Sequence, residues 1–149
     1  EYDLLLDHET PVRPDSCYGT SKVFLEALGR YYVENYAYPK RVYVLRIGSV
    51  RYPNYDHPFG DAEAGVENGR WERDSDAYQQ AVWRMKATWH SRRDVASLIE
   101  CCLRDDSVTF DIFYGVSDND RQWMDIEHAR SVVDYQPSDN GEEWNRPPV

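Results

Sequence analysis

Lysine is scarce in this chain: only Lys22, Lys40 and Lys86 occur among 149 residues. Seventeen basic residues face 27 acidic ones, a net charge of −10. Phosphate backbones and anionic lipid surfaces need clustered cations, so this balance counts against nucleic acid and membrane as partners. An acidic surface that prefers arginine to lysine predicts a halophilic protein, kept soluble where salt screens like-charge repulsion. Cysteine is nearly as sparse. Cys17, Cys101 and Cys102 are an odd number with two adjacent, and no disulfide or zinc framework emerges. That usage fits a reducing cytoplasm. No apolar run approaches the ~20 residues of a membrane span, and the residues present show no leader or lipidation signal.

What is present suits a packed domain. Hydrophobic residues make up 41%, with 12 Tyr, 5 Trp and 4 Phe, and one domain of this length buries a real core. Residues 1–17 read as an extended, Pro-punctuated segment. Over 18–36, Phe24, Leu25, Leu28, Tyr31 and Tyr32 recur at helical spacing, with Asp15 or Ser16 as the candidate cap. Residues 42–50 have strand composition and are nearly continuous in apolar character, as in a sheet covered on both faces. Residues 51–78 carry Gly, Pro, Asn and Asp without a period and read as a functional excursion. Helices are expected over 79–88 and 93–103, the second with Val95, Leu98, Ile99 and Cys102 inward. A strand over 110–116 and a helix over 126–133 follow, and the polar tail from Pro137 reads as loosely held.

Helix–strand–helix–strand–helix is an α/β pattern with a parallel sheet. Two strands cannot make such a sheet alone, so the chain reads as the second half of a doubly wound fold.

Within that frame Tyr18 and Lys22 stand out. Four residues apart on a helix, they share one face about a turn apart. A free tyrosine gives up its proton only near ~10, and an ammonium fixed beside it favours the phenolate. Such a tyrosine can take a proton from a hydroxyl or return one to a carbonyl. Spacing alone is weak evidence, since Tyr36 and Lys40 repeat it around Pro39. The plain alternative is a helix-start tyrosine and a solvated lysine.

Several segments taken jointly decide between these. The stretch Arg13-Pro14-Asp15-Ser16-Cys17-Tyr18-Gly19-Thr20-Ser21-Lys22, then Leu45-Arg46-Ile47-Gly48-Ser49, then Ser91-Arg92-Arg93-Asp94-Val95-Ala96 resembles the extended short-chain dehydrogenase/reductase family, the NAD-dependent epimerase/dehydratase group. Arg84-Met85-Lys86-Ala87-Thr88-Trp89 and Tyr114-Gly115-Val116-Ser117-Asp118-Asn119-Asp120 look most similar to its uronate dehydrogenases and haloarchaeal sugar dehydrogenases. The resemblance runs over most of the chain and fails mainly at residues 51–80, which it marks as an insertion or lid. It implies the C-terminal half of a Rossmann-like doubly wound sheet, residues 1–149 forming one partial domain. It implies NAD as cofactor, NADP being left open, and a small sugar, sugar acid or sugar phosphate as substrate.

Roles follow residue by residue from that resemblance. Tyr18 would be the catalytic acid/base, and Lys22 would hold the nicotinamide ribose. Ile47 would lie against the cofactor, Ser49 against the substrate, and Arg84 would clamp a carboxylate or phosphate through its planar fork. The plain alternatives are a strand-end hydroxyl for Ser49 and a surface arginine for Arg84. Arg46 is expected to pair with a carboxylate, Asp94 to favour a helix N-terminus, and Trp83, Trp89 and Trp123 to pack. The four histidines show no metal spacing, so no metal is expected.

One departure is equally informative. The Gly-rich strand–turn–helix that seats a dinucleotide pyrophosphate is not among these residues, nor is a serine upstream of Ser16. Three readings stay open: a sugar dehydrogenase, a nucleotide-sugar epimerase or dehydratase of the same fold, and a non-catalytic half-domain that docks on another chain. A homodimer, or a partner chain supplying the missing half, goes with these.

Overall fold

A computed structural model of the chain describes residues 5–50 and 56–148. In order they form α1 (Cys17–Asn35), β1 (Val42–Ile47), α2 (Gly60–Glu67), α3 (Asp76–Thr88), α4 (Arg92–Arg104), β2 (Phe110–Gly115), α5 (Glu127–Val133) and a 3-10 turn, Gly141–Glu143. β1 and β2 pair in parallel, from Val42 opposite Phe110 to Ile47 opposite Gly115. The architecture is α/β, as the order of elements predicts. No helix among the described residues is long and apolar enough to cross a membrane.

Serine starts three of the helices. Ser16, Ser75 and Ser91 each accept a hydrogen bond from the backbone N–H three residues on, satisfying a donor the helix itself leaves free. α1 lies on one face of the sheet. There Arg46 forks onto both Glu26 carboxylate oxygens at 2.8 and 2.9 Å, the carboxylate its mid-strand position called for. Gly29 meets Val42, and the Arg30 guanidinium stacks over the Phe110 ring at 4.1 Å. The main core fills the opposite face, where Phe113 packs with Leu98 and Cys102 of α4 and Ala129 and Val133 of α5. Cys101 and Cys102 are free thiols, Cys102 buried in this core and Cys101 partly buried against it.

Several expectations need correction. β1 carries no buried residue, because among the described residues only β2 pairs with it. Ile99 is exposed rather than inward, on the side of α4 above that open edge. Trp83 is exposed and carries Arg121 over its ring instead of packing in the core. Part of the 51–78 excursion is helical: α2 packs on α3 through Phe59, Ala62, Tyr78 and Val82. Residues 51–55 lie outside the described residues. The tail is pinned, since Ser138 and Asp139 donate backbone N–H groups to Asp94, and Gly141 donates to Asn119.

His90 is fully buried. The Tyr135 hydroxyl donates to the Val116 carbonyl at 2.9 Å. Its single proton is thereby used, so His90 Nε2, 3.0 Å away, must be the donor to that oxygen. Nδ1 is buried and has no partner among the described residues. Burial lowers the His90 pKa to about 4 from 6.5, against a smaller opposing pull from Asp94. The unfolded chain therefore takes up this proton first as the pH falls. Stability is full above about 6.5 and is lost on the way down to about 4. Chemical denaturation between pH 6.5 and 5 should show a loss of roughly 2 kcal/mol from this group. His90→Gln, which keeps a donor for Tyr135, should flatten that slope; an unchanged slope would assign it to another group.

Candidate active site

Two pairings set the direction of α1. Glu26 meets Arg46 near the end of β1, while Gly29 meets Val42 at its start. The helix therefore runs back along the strand, and its first turns reach the C-terminal edge of the sheet. Ligands of open α/β sheets bind at that edge. Tyr18 and Lys22 stand there on one face, the ammonium 4.9 Å from the centre of the phenol ring. Tyr18 is 71% exposed, and among the described residues Lys22 makes no ion pair, Glu26 being held by Arg46. Beside Lys22 opens a hollow of about 620 Å³ between the leading segment and the sheet, walled by Pro11, Arg13, Glu26, Arg46 and Tyr114. Tyr18 does not line it.

Beyond β1 the chain leaves the sheet at Gly48 and Ser49. The strands diverge here, and residues 88–91 wedge between them. Ser49 donates its N–H to the Thr88 carbonyl at 2.7 Å and accepts from the His90 N–H at 3.0 Å. On the other side Ser117 donates to the Trp89 carbonyl at 3.0 Å. Gly48 makes this possible, because a Cβ there would overlap the Thr88 carbonyl. The Ser49 hydroxyl lies 3.0 Å from that of Thr88, which in turn donates to the Arg84 carbonyl.

The chain is 34% identical over 143 residues to the NAD-dependent glucose-6-phosphate dehydrogenase of Haloferax volcanii, covering 96% of this chain and 45% of that protein. Among solved structures, uronate dehydrogenase from Agrobacterium tumefaciens superposes with a TM-score of 0.69 at 28% identity, over 98% of this chain and 46% of that one. A tyrosine-to-alanine mutant of that enzyme complexed with NAD gives 0.66 at 26% identity, over 98% of this chain and 47% of the other. Its homologues are NAD-dependent sugar dehydrogenases. The resemblance to the extended short-chain dehydrogenase family is thereby borne out. No family model matches the chain, and it spans less than half the length of the dehydrogenases it matches.

Beside these dehydrogenases the five expected site residues divide by position. Tyr18 and Lys22 are brought together. Ile47 closes β1 at the same edge, half-exposed, and Ser49 follows two residues on. Arg84 comes near Ser49 only through its backbone: the carbonyl is joined by way of Thr88, while the guanidinium lies on the exposed face of α3 with no ion pair among the described residues. Sequence reasoning missed Thr88 and Gly48. The signal for both was a glycine directly before Ser49, a sign that another backbone passes close.

Proposed function

We propose that the protein carrying this chain is an NAD(P)-dependent oxidoreductase acting on a sugar, sugar acid or sugar phosphate, with Tyr18 as its acid/base. One observation carries the reading: a phenol and an ammonium with no ion pair among the described residues share a helix face at the C-terminal edge of a parallel sheet. The residues present suit the nicotinamide end of the cofactor, with Lys22 free to bond the ribose hydroxyls and Ile47 offering an apolar surface. When bound, NAD supplies the hydride acceptor. Tyr18 takes the proton of the hydroxyl whose carbon gives up that hydride, so the alcohol becomes a carbonyl. Ser49 and Arg84 hold the substrate, and the described part of the 51–80 excursion, α2 with the first turn of α3, covers it as a lid. Because Tyr18 is so exposed, this face must be covered before the pair can work in a water-free site.

The test is a panel of D-glucose, D-glucuronate and D-glucose 6-phosphate with NAD, in molar salt, on the full-length protein. Steady release of NADH with at least one sugar is the expected result. NADH that forms transiently and stays bound would instead mark an epimerase or dehydratase, and none at all a non-catalytic module.

A further inference from the structure

We propose that Thr88 fixes the direction of the Ser49 hydroxyl, so that Ser49 offers the substrate only acceptor lone pairs and reads a sugar hydroxyl, never a carboxylate or phosphate oxygen. The proposal deepens the dehydrogenase reading above and rests on it. Thr88 Oγ1 lies 3.2 Å from the Arg84 carbonyl oxygen and 3.0 Å from Ser49 Oγ. A carbonyl only accepts, and a hydroxyl carries one proton. Thr88 commits that proton to Arg84, so the proton between the two hydroxyls comes from Ser49. Water does not compete, because Thr88 is buried.

The backbone locks the pair in place. Ser49 N–H donates to the Thr88 carbonyl at 2.7 Å, and the bare Gly48 lets the two segments approach. Ser49 Oγ therefore meets a ligand as an acceptor. A sugar hydroxyl can donate to it. A carboxylate or phosphate oxygen meets it lone pair against lone pair, with nothing to bond. An acid group on the substrate belongs elsewhere, within reach of a cation such as the exposed Arg84. Thr88 is on this account a positioning residue, acting through Ser49.

Fluorine in place of a hydroxyl distinguishes the two directions, since it accepts weakly but cannot donate. The experiment takes the fastest-turning sugar of the panel with its single deoxy and deoxyfluoro derivatives, on the full-length protein. In the native protein, at one ring position, both derivatives should raise KM about five- to tenfold with kcat little changed. Thr88→Val frees the Ser49 proton, so the fluoro compound should recover while the deoxy compound stays weak. Thr88→Ser keeps the relay and should behave as the native protein does. Fluoro compounds that bind like the parent at every position, or a pattern unmoved by Thr88→Val, overturn the proposal. Should that variant not fold, Ser49→Ala serves: parent, fluoro and deoxy compounds should then become equal at that position, and a persisting difference overturns it. Turnover without this pattern sinks the proposal alone; no turnover of any sugar sinks the dehydrogenase reading with it.

Discussion

Tyr18→Phe in the full-length protein should lower kcat for NAD reduction by 10²- to 10⁴-fold, the usual contribution of a positioned acid/base group. The variant keeps the ring over which Lys22 sits at 4.9 Å, and so keeps the cation–π contact. NAD affinity should accordingly change little, which titration of the cofactor would show. Lys22→Met should behave differently, weakening cofactor binding and turnover together, because one ammonium serves both. Turnover of Tyr18→Phe within tenfold of the native protein would remove Tyr18 from the mechanism. The exposure of this face bears on how strong the pairing can be. Attraction between an ammonium and a phenolate grows about fourfold when the effective dielectric falls from ~80 to ~20. The pair on an uncovered helix is a latent device; a dry crevice formed over it makes it a proton shuttle.

The local half of this site was legible and the non-local half was not. Tyr18 and Lys22 are one helical turn apart, so a periodicity argument places them without any knowledge of the fold. The Ser49–Thr88 pair joins residues 39 apart in sequence; Gly48 signals that some backbone passes close, but nothing in either segment says which. α2 was missed for a related reason. Gly60 and Gly65 look like turn signals, yet Gly65 is bare because the Trp71 ring lies where its Cβ would be. Packing, rather than backbone freedom, chose that glycine. The β1 strand was legible in position but not in burial. Its apolar run predicts neighbours on both sides, and the described residues supply one. α1 makes the same point: it has no buried residue, while Phe24, Leu25, Tyr31 and Tyr32 stand exposed on the face turned from the sheet. Hydrophobic patterning reports the surroundings a segment was selected for, including those these residues do not themselves provide.

Asp94 shows how a polar tail can be mistaken for a loose one, and it yields the largest stability effect expected here. Its carboxylate is 1% exposed, far from the solvated role that a helix N-terminus alone would give it. One oxygen accepts from the Ser138 N–H at 2.9 Å and the Ser138 hydroxyl at 3.3 Å. The other accepts from the Ser117 hydroxyl at 2.6 Å and the Asp139 N–H at 3.1 Å. Three segments thus converge on one side chain: the start of α4, the end of β2 and the tail. Asp139 adds a second tie, its carboxylate accepting from Ser91 at 2.5 Å and pairing with Arg93. What the tail supplies to this carboxylate is two backbone N–H groups and the Ser138 hydroxyl. Asp94→Ala leaves two backbone N–H groups and a buried hydroxyl without acceptors, and should cost about 3–5 kcal/mol in chemical denaturation. Asp94→Asn is expected to rescue only part of this, since its amide nitrogen would face donors in place of one oxygen. Hydrogen exchange gives the more specific reading. In either variant the Ser138 and Asp139 amides should lose protection first, ahead of the β1–β2 ladder. A loss of less than about 1 kcal/mol, with both amides still protected, would mean that water or a neighbouring donor can replace the carboxylate, and that the tail is held by Asp139 and Asn119 instead.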